Sequence, residues 1–415
     1  MRSAPSSIAR DGEPSAKMTA GDLRGERKMA TIRRLSWLIV LAATITTTAP
    51  LHAQSPASSS ARQMTEAARA LLAALDDAQL HAALLELDDD ERSHWSNVPY
   101  ASHHRPGLRL GSLDREEMLR VHDLLRASLS SQGYQKAAGV IRLDDINRAQ
   151  QVARLSPTAT AFQKTQAEGF GSDNYFVLFF GDPRRDGRWG WLLQGHHLAM
   201  SFTVADGKTA FLPMFIGATP LAVEDAGRDA RGRATQGAVA ESVETGWSAL
   251  AQEVTRGVEL VTTLTESQRK VAISPAAVPE DVLNGVGNKD HFTPPEGLRA
   301  ADMTPEQRRL LRALVEEYVR NADFDAADDQ LAAIEAAGWN DVSFTWRGPV
   351  GDLAEPFYYR VQGPRISIEL RNTENHVHTV TRDPLNDYGE AWLGLTYRET
   401  ITAAERSAAA RRAAE

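Results

Sequence analysis

Apolar positions recur at helical spacing along four stretches of this sequence; elsewhere they alternate or run together as strands do. From Met64 to Leu87 the alanines and leucines keep a helical rhythm that breaks near Asp76-Asp77, which predicts two short helices. Leu113, Met118, Val121, Leu125 and Leu129 make an apolar stripe through "LDREEMLRVHDLLRASLSSQGY". Asp114 opens that stretch with Glu117 three residues on, a pairing that satisfies two otherwise orphaned backbone N–H groups in a capping box. A further helix is expected from about Val239 to Ser267. The last, "MTPEQRRLLRALVEEYV", has Thr304 as N-cap, Pro305 at the first helical position and Gln307 three residues after the cap.

Strand patterns fill two regions. In "NYFVLFFGDPRRDGRWGWLLQGHHLAMSFTVADGKTAFLPMF", aromatic and β-branched runs are punctuated by "GDPRRDG" and "ADGK", turns rich in Asp and Gly. "VSFTWRGP" and "FYYRVQGPRISIEL" repeat that plan later in the chain. Asp114 corresponds to Thr304, Glu117 to Gln307, Gln194-Gly195 to Gln362-Gly363, His197 to Arg365 and Ser201 to Glu369. The expectation is an α+β fold: one large domain over residues 63–400, built from two related units of a helix plus antiparallel hairpins, an internal pseudo-duplication. The alternative is that helix–hairpin units are common and the shared Gln-Gly is chance. The Trp and Tyr residues of the hairpins (Trp189, Trp191, Tyr358 and Tyr359) are expected in the core.

Composition narrows the chemistry. The 415 residues include no cysteine, which excludes disulfides, thiolate metal sites and cysteine nucleophiles. A net charge of −9 argues against nucleic acid or an anionic membrane surface as partner. "MATIRRLSWLIVLAATITTTAPLHAQS" reads as a signal peptide over residues 29–53: Arg33 and Arg34, an apolar stretch too short to span a bilayer, then a small-residue cleavage context before Gln54. Residues 1–28 are polar and do not resemble the start of a leader, so Met29 is a candidate initiator. Residues 54–62 read as a Ser-rich linker and 401–415 as a helical or disordered tail. The mature chain is expected in the periplasm or outside the cell, with no membrane span.

Two histidine-bearing segments carry the candidate chemistry. In "NHVHT", His376 and His378 share one face of a strand, because side chains alternate. Two imidazoles so placed suit a divalent Zn, Fe, Cu or Mn ion. His197 from "GHHLAMSF" and the carboxylate of Glu369 would complete the shell. The bland alternative is a polar rim whose histidines bond backbone groups around a turn. On a continuous strand His196 would share the apolar face of Leu198, Met200 and Phe202, while His197 would lie with Ala199, Ser201 and Thr203 on a small polar face that could line a cleft. In "RDPLNDYG" a structural Asx-turn is the first reading; the second is Arg382 paired with Asp387 or clamping an anionic substrate group. Arg382, Arg365 and Asp383 are the candidates for that clamp. His103, His104 and His291 sit in loop-like segments and are assigned to the surface. There is no G-x-S-x-G elbow, phosphate loop, dinucleotide fingerprint or H-E-x-x-H helix.

"GYQKAAGVI", "GHHLAMSF", "FIGATP" and "YYRVQGPRISIELRNTENHVHTVTRDPLNDYG" together resemble the bacterial family called domain of unknown function 3500, in the expected order from about Arg105 to Gly389. Its most recognisable features map onto Gly195 to Leu198, Arg360 to Pro364, Glu369, and His376 to Pro384. The resemblance implies a shared fold and a frequently exported protein, with no activity assigned. Many members carry another histidine after this last turn, and "NDYGEAWLGLTYRETITAAERSAAARR" has none. Two functional readings stay open: an exported metal-dependent enzyme, hydrolytic or oxidative, or a periplasmic module that binds a small molecule or a partner without turnover. A structural duplication with no small-molecule site is a third.

Overall fold

Helix caps set the first half of the chain. In the computed structural model, which describes residues 60–221, 248–289, 294–351, 355–373 and 375–399, the stretch expected to be a tether already becomes helical at Ser60. Helix α1 (Ser60–Ala74) is followed by α2 (Asp77–Ala83), whose N-cap is Asp76 with Gln79 completing a capping box, so the expected break falls where the two aspartates stand. Two short strands, β1 (Leu84–Leu85) and β2 (Leu108–Arg109), precede α3 (Arg115–Ser128), which has the Asp114–Glu117 capping box. The helix ends sooner than its apolar stripe implies, because the Ser130 side chain accepts from Gly133 N and starts α4 (Ser131–Arg154). Helix α4 went unread in the sequence for a physical reason: its buried stripe includes Lys136, Asp144 and Asn147 among Ala137, Val140 and Leu143, which blurs the apolar rhythm. Helix α5 (Ala161–Glu168) follows, capped by Thr160.

The first set of strands comprises β3 (Phe176–Phe180), β4 (Arg188–Gly195), β5 (Leu198–Ala205), β6 (Lys208–Ala210) and β7 (Met214–Ala218). Where one helix was expected from Val239, residues 239–247 lie outside the described residues, and the rest divides into α6 (Ala251–Thr262) and α7 (Glu266–Ala272), the latter capped by Thr265. Strand β8 (Leu298–Arg299) leads to α8 (Pro305–Val319), with the expected Thr304 cap and Pro305, and then to α9 (Phe324–Gly338). The remaining strands are β9 (Ser343–Arg347), β10 (Phe357–Gly363), β11 (Ile366–Thr373) and β12 (His376–Arg382), before the short α10 (Glu390–Leu393).

All twelve strands form one mostly antiparallel sheet, ordered β1-β3-β4-β5-β7-β12-β11-β10-β9-β8, with β2 against β3 and β6 against β5. The order from one edge, β3-β4-β5-β7, matches the order from the other, β9-β10-β11-β12, and the two runs meet at the β7–β12 pair. The Gln-Gly positions occupy the same place in both. Gln194-Gly195 closes β4 before a two-residue turn into β5, and Gln362-Gly363 closes β10 before a two-residue turn into β11. The fold is therefore α+β, and the described residues all belong to one compact unit, Ser55–Glu415. Residues 1–53, with the expected leader, and the tail from residue 401 lie outside the described residues.

Both faces of the sheet are covered. One face packs Trp191, Leu198, Phe202, Ile368 and Tyr359 under helices that contribute Leu71, Leu124, Val140, Leu260 and Leu314. Lys136 ties three of these helices together, its ammonium 2.7 Å from Glu253 and 2.8 Å from Glu317. Over the other face, loops bring Trp95, Val282 and Tyr388 onto Leu178, Leu192, Phe215 and Val380. That second face also carries buried ion pairs, Arg360 with Glu369 and Arg382 with Asp387, and breaking such a pair costs on the order of 3–5 kcal/mol. The hairpin aromatics are core residues as expected: Trp189, Trp191, Tyr358 and Tyr359 are all buried. No helix among the described residues is long and apolar enough to cross a membrane.

Candidate metal centre

Three imidazoles converge at one end of the central strands. His376 opens β12 and His378 follows two residues on, so the pleat points both the same way. Register then sets the third. His378 pairs with Gly217 of β7, and Gly217 N donates to His197 O at 2.7 Å, which brings the β4–β5 turn alongside. The Nε2 atom of His376 lies 2.9 Å from His197 Nε2 and 2.8 Å from His378 Nε2, and one ligand atom from each of the three lies within 4.8 Å of the others. "GHH" and "HVH", 179 residues apart, thus share one site.

His196 and His197 are not strand residues as expected. They are the whole two-residue turn between β4 and β5, and His197 has a left-handed backbone (φ 63°). A turn frees both rings from strand alternation, so both reach the cleft and their rings stack 3.7 Å apart. His196 is held instead of sinking into the apolar core: its Nδ1 is 2.5 Å from Asp144 Oδ1, and Tyr175 Oη donates to its carbonyl at 2.5 Å. Asp144 Oδ2 also accepts from Gly171 N at 2.7 Å.

The donor set fits a cation. His378 Nδ1 lies 2.7 Å from Asp281 Oδ1, and a carboxylate only accepts, so Nδ1 carries the proton and Nε2 turns its lone pair toward His376. Two imidazole lone pairs at 2.8–2.9 Å repel unless a proton or a cation lies between them. Burial, with His378 and His196 nearby, pushes His376 down to about 2, so its imidazole is neutral and its lone pair available. All three nitrogens lie within 4.8 Å of one another, within reach of one ion that each would hold at about 2.0–2.1 Å. Gly217 leaves the room: a Cβ there would meet His378 Cδ2 at 2.9 Å and His197 Cδ2 at 3.1 Å.

The site opens on a cleft of about 660 Å³. His196, His197 and His376 form its floor, and Asn147 and Gln151 of α4 stand on one wall. Val98, Pro99 and Phe170 add apolar surface, and α5 contributes Phe162 and Gln166.

The other sequence candidates lie elsewhere. Glu369 is on the same face as His378, but it sits directly opposite Arg360 on β10, and that buried pair closes at 3.1 Å. Its Oε2 accepts from Leu283 N and, at 3.2 Å, from Asn284 N. Burial raises this carboxyl despite Arg360. Arg382 stands six residues along β12 from His376, roughly 20 Å away at strand rise. It is fully buried between Asp387 (2.9 Å) and Glu399 (2.8 Å) and donates to the carbonyls of Asn284 and Gly285. Arg365 and Asp383 form a bidentate ion pair at that far end, and Asp383 Oδ1 accepts from Leu385 N, the Asx-turn that was the first of the two readings. These three side chains are paired with one another or with other partners, Arg382 with Asp387 among them, and do not line the histidine cleft. His104 is exposed and His103 partly so, and His291 lies outside the described residues.

Asp281, Asp144 and Gly217 were missed in the sequence. Asp144 had a signal, a carboxylate on the buried stripe of a helix. Asp281 sits in an irregular loop and Gly217 inside an apolar strand, where only tertiary contacts single them out.

The chain matches the family described as "Protein of unknown function (DUF3500)" over residues 57–390, and it belongs to that family. No curated protein and no solved structure matches it.

Proposed function

We propose that this member of a family without an assigned activity is a metal-dependent enzyme in which His197, His376 and His378 hold one divalent ion. The observation that carries the reading is the convergence of three Nε2 atoms, one of them oriented by Asp281, on the floor of a cleft large enough for a small molecule. Three protein ligands with a position left toward a cleft are the pattern of a catalytic site, whereas a structural site is closed by four. Bound there, a zinc-like ion supplies Lewis acidity, polarising a carbonyl or acidifying water, and a redox-active ion would supply oxidative chemistry in its place. Hydrolysis is the reaction we favour, because three neutral imidazoles leave the ion's charge unreduced by its own ligands. Asp281 holds His378 in its ligating tautomer, and Asp144 orients His196 beside His197 with the ring on the cleft floor.

The test is elemental analysis of the mature, tag-free protein beside a His376→Ala/His378→Ala double variant. One equivalent of metal in the wild type that disappears in the variant supports the proposal. A folded, metal-free wild type sinks it and leaves a binding groove without turnover. We also read residues 29–53 as an export leader. Amino-terminal sequencing of protein from the periplasm or medium should begin near Gln54, and an intact leader on cytoplasmic protein would count against export.

A further inference from the structure

Resting on that reading of the site, we infer that the cleft takes an uncharged substrate bearing amide or hydroxyl groups, and that it selects against anions and cations. The cleft walls offer groups of one kind. Asn147 and Gln151 project from successive turns of α4, and Gln166 faces them from α5, each amide both a donor and an acceptor. Ser102 and Thr219 add hydroxyls, and Thr219 Oγ1 is shielded from solvent with no partner among the described residues. Phe162 is 66% exposed although it is a large apolar side chain, and Phe170 lies edge-on to His196. Phenyl rings between amides suit a ligand with an apolar face and hydrogen-bonding substituents.

Charge points the same way. Among the described residues, no Lys, Arg, Asp or Glu lines this cleft. The two carboxylates behind it are engaged: Asp281 at His378 and Asp144 at His196. Neither carboxylate is therefore presented to a distal part of the substrate. A carboxylate or ammonium group entering between Gln151, Gln166 and the phenyl rings would lose its hydration without meeting a counter-charge. A carboxamide would exchange water for the wall amides.

Three benzohydroxamic acids that differ only at the para position test this, because the hydroxamate anchors each on zinc whether or not the protein catalyses anything. They carry a carboxamide, a carboxylate or an aminomethyl group. Zinc content is measured first, on the full chain, and then Kd for each probe by calorimetry. The carboxamide should bind at least tenfold more tightly than either charged probe. Gln166→Lys should improve the carboxylate probe about tenfold with zinc content unchanged. A zinc-loaded protein that binds the carboxylate or the ammonium as tightly as the carboxamide, or a Gln166→Lys variant that alters nothing, overturns this inference alone. A protein that holds no divalent metal, even after incubation with zinc, overturns both it and the metal centre.

Discussion

Asp281 Oδ1 lies 2.7 Å from His378 Nδ1, and this contact decides which nitrogen of the ring faces His376. The carboxylate comes from the irregular loop between α7 and β8, so the ligating geometry depends on how that loop is laid over the sheet. Replacing the carboxylate by the isosteric amide in Asp281→Asn weakens control of the tautomer without removing a ligand. Zinc affinity should fall about 10- to 100-fold, as measured by competition with a chromophoric chelator. Unchanged affinity would show that Asp281 has no part in the site.

Glu369 acts on the same loop from a distance. Its carboxylate accepts from Leu283 N and Asn284 N, two and three residues beyond Asp281, and pairs with Arg360. Glu369→Ala removes the carboxylate that pairs with the buried Arg360, and urea titration should show a loss of about 3–5 kcal/mol. It should also weaken zinc binding through the loop. Glu369→Gln keeps an acceptor for both N–H groups and should recover most of the zinc affinity. Equal zinc affinity in both variants would uncouple the loop from the metal centre.

Gly217 offers a test confined to packing. A methyl group there meets His378 Cδ2, Val377 O and His197 Cδ2 at 2.9–3.1 Å, so the rings must separate. Gly217→Ala should cost about 1–3 kcal/mol in thermal or urea unfolding. Zinc affinity should drop by more than tenfold. A variant that binds zinc normally would mean the rings have slack that the structure does not show.

The far end of β12 carries the pH dependence. Burial raises the Asp387 carboxyl from 3.8 to about 7 against the pull of Arg382. The folded state therefore holds a proton that the unfolded state releases. Its contribution to stability is complete below about pH 4 and is lost as pH rises through about 7. Asp387→Asn mimics the protonated form and leaves Arg382 its pair with Glu399. Urea unfolding from pH 4 to 8 should show the wild type losing stability relative to this variant, with a slope of up to about 1.4 kcal/mol per pH unit. Parallel profiles would contradict a raised Asp387.

Local patterns determined the elements. Asp76, Asp114 and Thr304 begin helices because each has an acceptor side chain and, three residues later, a Gln or Glu that returns the bond. Alternation along β12 was enough to put His376 and His378 on one face. Those inferences rest on interactions within a few residues or on a two-residue period, which a sequence displays directly.

Tertiary structure decided the membership of the site. Whether His196 and His197 belong to a strand or a turn depends on the register of β4 against β5, which ends at Gly195 and Leu198. Whether Glu369 ligates or pairs depends on the residue across from it, and Arg360 stands there. Asp281 reaches His378 only through a loop path 97 residues away in sequence, and Gly217 reaches it only through the pairing of β7 with β12. Long-range register, loop placement and the choice among buried partners are settled by the packing of the whole sheet, so no local pattern of residues can encode them.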